Sequence, residues 1–237
     1  MSKIKNISII DVVEAIVTSL RYTSTVVGVS TISTGVYAFT TRNAYTLAVG
    51  NYITIGSVSY LVTDVTGKLI TVTGASIPVG TTWVEDAPYF YHGTPIEANK
   101  DHLNDLRGNM LKYPFICLWE PIESQFIPDE SNSIGEVASL NMVFMTTADN
   151  EQWTTSQHHA NAITVCKNIM LRFIEACEKS PYLATDMIDQ FNVVYHAKWA
   201  LYARTRGKQQ YIFMENLSGV EANGITINLK KEFDCKT

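Results

Sequence analysis

This sequence has little charge, few cysteines and no long apolar run. Asp, Glu, Lys and Arg make up 17% of the 237 residues, which is below the quarter that is usual in soluble proteins. The formal net charge is −5, and this argues against a basic nucleic-acid-binding face spread over the whole surface. No apolar run approaches the roughly 18 residues that span a bilayer, so we expect no transmembrane segment.

The cysteines show no pattern typical of a metal site or a disulfide framework. No CxxC pair is present, and Cys166 and Cys177 fall on one predicted helix about 16 Å apart at roughly 1.5 Å per residue. That separation excludes a disulfide between them. Each cysteine has apolar neighbours, so we expect free thiols in a reducing compartment. The cysteines are Cys117, Cys166, Cys177 and Cys235.

The motifs of common catalytic and cofactor-binding sites are also missing. The chain contains no GxSxG nucleophile turn, no HExxH zinc motif and neither of the Gly-rich patterns that bind phosphates before a helix. We therefore assign no catalytic, cofactor-binding or metal-binding residue, and we predict that the protein is not an enzyme.

The titratable residues that do occur form no site by their spacing. Neighbours on a helix such as His158 and His159 point about a third of a turn apart, so they do not face one metal ion as an i, i+4 pair would. We interpret them as structural or solvent-facing, and we interpret His92 and the pair Asp101-His102 in the same way. Further clusters are interpreted as solvated loops or strand ends: Asp129, Glu130 and Glu136; Asp186 and Asp189; Arg204, Arg206 and Lys208. The alternative for the two acidic sets is a hard-cation site, and the alternative for Arg204, Arg206 and Lys208 is a local basic patch.

What the sequence does contain is a compact β pattern over residues 50–74. Apolar residues alternate with polar ones in three short stretches, and side chains on a strand point alternately to opposite faces. Two-residue hairpin turns are predicted at Gly56-Ser57 and Gly67-Lys68, where the backbone needs positive φ angles. Flanking stretches rich in aromatic residues extend the β region over residues 25–96, which predicts a small closed barrel or sandwich.

Helical patterns lie on both sides of this module. An amphipathic helix is predicted over residues 6–22, with Ser8 or Asp11 as its cap. The longest helix is predicted over residues 156–179, and Pro181 stops it.

Strands and loops make up the rest of the chain. Residues 95–112 are predicted to form a short helix or an ordered loop, and residues 121–134 a loop that contains two prolines. Strands are predicted over residues 113–119, 137–146, 191–203, 209–215 and 224–233.

These elements predict an α+β fold. It consists mainly of an antiparallel sheet with a long helix packed on one face, plus an inserted small all-β barrel or sandwich. The predicted domains are an α+β core made of residues 1–24 and 97–237 and an inserted β-barrel-like module at 25–96.

The order of elements resembles that of the small neck and tail-completion proteins of tailed bacteriophages, which assemble as rings. The resemblance rests on the N-terminal helix, the strands YPFICLW and VASLNMVFMT, the helix HHANAITVCKNIMLRFIEACEKS and the C-terminal strands. It covers residues 1–22 and 97–237 in outline and is not a motif match. The module at 25–96 departs from the smallest members of such families.

The resemblance implies a structural virion protein that is assembled in the host cytoplasm. Its copies would form a ring around the DNA channel, at the head–tail connector (the neck) or at the tail end as a terminator. Its partners would be further copies of the chain and the neighbouring portal, connector and tail proteins, with DNA passing through without sequence-specific binding and without a membrane. Candidate contact segments are the loop 121–134, the turn 204–209 and the outward face of the module.

The aromatic residues leave an alternative function open. Tyr and Trp serve in core packing, in protein–protein interfaces and in the stacking of bases or sugars. The alternative is a carbohydrate- or receptor-binding module of the tail or baseplate, which would use exposed Trp83 and Tyr89.

Overall fold

Two β-sheets and two helices are described along their whole length. Most strand pairs are antiparallel, and a helix of 25 residues packs on one face of the second sheet, so the predicted α+β class is confirmed. The structure, a computed structural model, describes residues 8–40, 52–66, 69–85, 87–94, 97, 113–128, 134–148, 152–184, 190–199 and 217–229.

The first helix, α1, spans Ile9–Ser19 and is capped reciprocally at its N-terminus. The Asp11 amide donates to Ser8 Oγ at 3.1 Å, and the Ser8 amide donates to the Asp11 carboxylate at 3.3 Å. Both of the predicted cap residues therefore take part, and each satisfies one backbone amide that the helix leaves free. The buried stripe of α1 consists of Ile9, Val12, Val13, Ile16 and Val17.

A seven-stranded antiparallel sheet follows and is curled into a half-barrel. Its strands are β1 (Tyr22–Thr25), β2 (Gly28–Ser33), β3 (Val36–Thr40), β4 (Tyr52–Ile55), β5 (Val58–Thr66), β6 (Leu69–Thr73) and β7 (Thr82–Glu85), in the order β1-β7-β4-β5-β6-β3-β2. The two edge strands, β1 and β2, are consecutive in the chain. Between them, the Val26 amide donates to the Thr81 carbonyl at 3.0 Å, and the Val27 amide donates to the Thr40 carbonyl at 2.9 Å. One short segment thus runs along both edges of this sheet.

Alternating burial gives the half-barrel a core of its own. Phe39 and Trp83 are fully buried inside it, with ring centroids 6.2 Å apart in an edge-to-face arrangement. Ile55 pairs with Val58 across a two-residue hairpin, and Gly56 has φ +63°, so the turn predicted there is confirmed. The turn predicted at Gly67-Lys68 lies outside the described residues.

The second sheet has five strands. They are β8 (Tyr89–Gly93), β9 (Phe115–Pro128), β10 (Ile134–Thr147), β11 (Asn192–His196) and β12 (Leu217–Leu229), in the order β11-β12-β10-β9-β8. All neighbours are antiparallel except β8 and β9, which are parallel.

Two expectations about this sheet were wrong. Residues 89–93 were expected in the inserted module, but they pair with β9 in the five-stranded sheet. Residues 121–134 were expected to form a loop, but β9 continues to Pro128 and pairs with β10 as far as Ile134. Prolines are tolerated in a strand where one side has no ladder to complete, and that is the position of this part of β9.

The long helix, α2, lies on one face of the five-stranded sheet. It consists of the segments Thr155–His158, His159–Ile163 and Thr164–Lys179, the second of which is a π-helical turn. Thr154 caps it in a reciprocal arrangement with Gln157. Together, α1 and α2 cover a core formed by alternate residues of the strands, including Ile116 and Leu118 of β9 and Phe144 of β10.

The opposite face of the same sheet carries a second apolar cluster. Its buried members are Tyr91, Tyr113, Phe115, Cys117, Val143, Met145 and Leu217. Neither helix of the described part of the chain has the length and apolarity that a bilayer crossing requires.

Candidate subunit interface

The outer half of β9 extends beyond its neighbour β8. Strand β8 accompanies β9 only from Phe115 to Trp119, whereas β10 accompanies it as far as Pro128. From Glu120 onward, β9 therefore has a paired strand on one side only, as far as the described residues show. Such an edge presents backbone groups that are able to pair with another chain.

The first part of this edge is blocked by its own residues. Pro121 has no amide hydrogen, and the Ile122 amide donates to the Glu120 carboxylate at 3.0 Å. A strand added here would find no free donor at either position. The segment available for pairing therefore begins at Glu123.

The segment from Glu123 to Phe126 is exposed on both faces. All four of its residues are exposed, and Phe126 is 67% exposed, the largest fraction among the exposed large hydrophobic residues. Exposed aromatic rings beside open strand edges are typical of protein–protein contact surfaces. We call residues 123–126 the β9 edge.

Strand β11 is the opposite edge of the sheet. It pairs with β12 along its whole length and with no other strand in the described ranges. Val194 and Tyr195 are 43% and 45% exposed, and the Tyr195 ring lies 6.4 Å from the exposed His159 of α2. Tyr195 thus faces the helix-bearing side of the sheet. We call residues 192–196 the β11 edge.

The two edges run in opposite directions. Strand β11 is antiparallel to β12, β12 is antiparallel to β10, and β10 is antiparallel to β9, which makes β11 antiparallel to β9. If a second copy is placed beside the first with its helices on the same side, its β11 edge meets the β9 edge in the antiparallel sense. Antiparallel pairs form well-aligned hydrogen bonds, so the two edges are geometrically compatible.

A polar cluster lies beside the β11 edge on the sheet face away from the helices. His196 Nε2 lies 2.9 Å from a Glu221 carboxylate oxygen, and Asn223 Nδ2 donates to the other oxygen at 3.0 Å. The hydrogen bond from His196 lowers the pKa of Glu221, against the opposing effect of partial burial. The rings of Trp199 and His196 are in an edge-to-face arrangement, with their centroids 4.1 Å apart. This cluster ties β11 to β12.

His158, which was predicted to be structural or solvent-facing, is buried and has a structural contact. Ser218 Oγ donates to the Ala197 carbonyl at 2.6 Å and therefore accepts from His158 Nδ1 at 3.0 Å. His158 and Ser218 are both fully buried. A histidine that donates to the serine does not act as its base, so this contact holds α2 to β12 and does not activate a nucleophile. His159, its neighbour, is exposed, as a solvent-facing residue should be.

The glycan-binding alternative depended on exposed rings, and the structure contradicts this for Trp83. Trp83 is fully buried in the half-barrel core, and Tyr89 is half-buried on β8. His92 lies 2.5 Å from Glu120 on the next strand, and Glu136 is half-buried on β10. Several predicted candidates lie outside the described residues: Asp101, His102, Asp129, Glu130, Asp186, Asp189, Arg204, Arg206 and Lys208.

The cysteines have the predicted character where they are described. Cys117, Cys166 and Cys177 are buried free thiols, and burial raises the pKa of each, for Cys177 to about 12. Such thiols are poor nucleophiles at neutral pH. In the described ranges, no three His, Cys, Asp or Glu side chains are grouped so as to hold a metal ion.

The contact segments predicted from the sequence include one of the two candidate edges and omit the other. Phe126 lies within the segment named as a contact candidate, although that segment was expected to be a loop. Tyr195 ends an apolar run, Val193 to Tyr195, and such a run does not show that its strand is the last one of the described sheet. By sequence and by fold, the chain matches no family model, no curated protein and no solved structure, so the role of these edges must follow from their own geometry.

Proposed function

We propose that this protein is a structural virion protein of a tailed bacteriophage. Its copies form a ring at the head–tail connector or at the tail end, around the channel through which DNA passes. The observation that supports this most is the five-stranded sheet, whose β9 and β11 edges are different, lie on opposite sides and have compatible directions. A contact between two different surfaces of identical chains is heterologous, and repeated contacts of this kind close into rings when the rotation permits.

The charge of the chain agrees with this role. The formal net charge is −5, so phosphates are on the whole repelled by the protein. DNA that must move through a ring benefits from a wall that does not hold it. The ring contact itself depends on strand edges and on apolar side chains such as Phe126.

The test is the mass and symmetry of the assembled protein. We expect native mass spectrometry and negative-stain electron microscopy of the purified chain to show a closed ring of one defined subunit number. Mixing with the portal-proximal and tail proteins of the same phage should raise the ringed fraction. A monodisperse monomer from micromolar to near-millimolar concentration, with no ring after these neighbours are added, would refute the proposal.

A further inference from the structure

We infer that the ring contact is a β-sheet continued from one copy to the next, in which the β9 edge of one subunit pairs with the β11 edge of its neighbour. This inference rests on the proposed function, because it names the surface by which the ring would form. The occupant of the β9 edge is a second copy of this chain. Three observations support this choice: strand direction, the facing of side chains and the exposed aromatic rings on both edges.

Strand direction and facing restrict the register to those that place helix-side residues opposite one another. Phe126 pairs with Glu136 of β10. Glu136 is two residues from Ala138, which lies in the helix-side core, so both point to the same side of the sheet. Phe126 therefore lies on the helix-bearing side, as does Tyr195 beside His159. Placing Phe126 opposite Tyr195 keeps the helices of both copies on the same side of the continued sheet.

This register brings exposed aromatic rings together. Phe126 is 67% exposed and Tyr195 is 45% exposed. Across the contact, the Phe126 ring meets the ring of Tyr195 with His159 behind it. Aromatic cross-strand pairs are among the more favourable pairs in antiparallel sheets, so burying them would contribute strongly to the contact.

Strand β11 ends at His196, so in this register it reaches Gln125 and no further along β9. The added strand therefore ends before it reaches the positions blocked at Pro121 and Ile122.

A substitution at Phe126 tests the contact against a matched surface position. Phe126→Asp should raise the dissociation constant for self-association at least about tenfold, because a charge replaces a central apolar anchor. The control is Ile32→Asp, since Ile32 is 60% exposed on an edge strand of the half-barrel. Analytical ultracentrifugation measures both variants, and thermal melting should show that both remain folded.

Crosslinking locates the contact directly. A photoreactive benzoylphenylalanine in place of Phe126, in a mixture of isotopically light and heavy chains, should give mixed-mass crosslinks to residues 192–196 of another copy. Rings with crosslinks elsewhere, an undisturbed ring in Phe126→Asp, or equal loss in Ile32→Asp would each overturn the sheet contact and leave the ring itself standing. A wild-type chain that never associates would overturn both.

Discussion

In the half-barrel, one segment of the chain supplies both edge strands, whereas the edges of the five-stranded sheet are formed by strands that are far apart in sequence. Residues 22–33 form β1 and β2 and, through Val26 and Val27, bond to both ends of the curled sheet. In the five-stranded sheet, β11 stands at one edge, and β8 and the outer half of β9 stand at the other.

The difference lies in what each sheet leaves available for other chains. A sheet that curls so that its own chain covers its edges keeps few backbone groups for a partner. The five-stranded sheet buries apolar side chains on both faces, and among the described residues no strand pairs with the outer side of β11 or with the outer side of β9 beyond Trp119. We therefore expect the half-barrel to act as a self-contained addition and the five-stranded sheet to carry the contacts between subunits.

The largest expected effect comes from the core of the half-barrel. Trp83→Ala removes a fully buried side chain and its contact with Phe39, and it should cost about 3–5 kcal/mol of unfolding free energy. If the two sheets are separate cooperative units, hydrogen exchange should accelerate in β4 to β7 and stay unchanged in β10 and β12. Denaturant unfolding followed by hydrogen-exchange mass spectrometry measures both quantities.

The matched substitution lies in the other core. Phe173 of α2 is fully buried, with its ring 5.9 Å from that of Phe144. Phe173→Ala should reverse the pattern, with faster exchange in β10 and β12 and little change in the half-barrel. Equal acceleration of exchange in both sheets for either variant would show that the protein unfolds as one unit. The two sheets would then not be separate cooperative units.

The strands of the half-barrel could be predicted from the sequence because only one of their faces is buried, whereas the predicted closed barrel or sandwich is a curled half-barrel in the structure. In β6, for example, the buried Ile70 and Val72 alternate with more exposed neighbours, so periodicity alone predicts the strand. The five-stranded sheet obscures this signal, since Phe115 through Leu118 are all fully buried. A continuous apolar run predicts a strand, but it does not show which strands lie beside it or whether it lies at the edge of the sheet.

The candidate interface was harder to predict for two physical reasons. Residues 123–126 are exposed on both faces, so they have the polar composition of a loop while they pair with β10. Edges are a property of the assembled sheet, and they become visible only when the pairing of every strand is known.

A smaller effect is expected where the two regions meet. Arg172 of α2 donates to the Leu20 carbonyl, and its Nη1 lies 3.7 Å from a carboxylate oxygen of Glu85, which is buried at the end of β7. A double-mutant cycle with Arg172→Met and Glu85→Gln should give a coupling free energy of about 1–2 kcal/mol, because one partner is buried and the other half-buried.

The control for this cycle is Lys167→Met, which removes an exposed cation from the same helix. Its effect should stay within about 0.5 kcal/mol, as is usual for surface positions. A coupling indistinguishable from zero would mean that the helix and the half-barrel are independent in stability, which would sharpen the separation between the regions.

The smallest effect is a pH-dependent one at the β11 edge. Folding lowers the pKa of Glu221, chiefly through the hydrogen bond from His196, so the folded protein binds fewer protons than the unfolded chain in the range where this carboxyl titrates. The stabilisation is present above the unfolded pKa of about 4.3 and is lost as the pH falls through the folded pKa.

Glu221→Gln should therefore cost about 1 kcal/mol or less at pH 7, and the difference from wild type should shrink below about pH 4. Asn223→Ala, which removes the lesser donor, should show a weaker form of the same trend. If the difference is instead the same at every pH, Glu221 stabilises the edge by packing and not by its charge, and the β11 edge would then stay attached to β12 in acid.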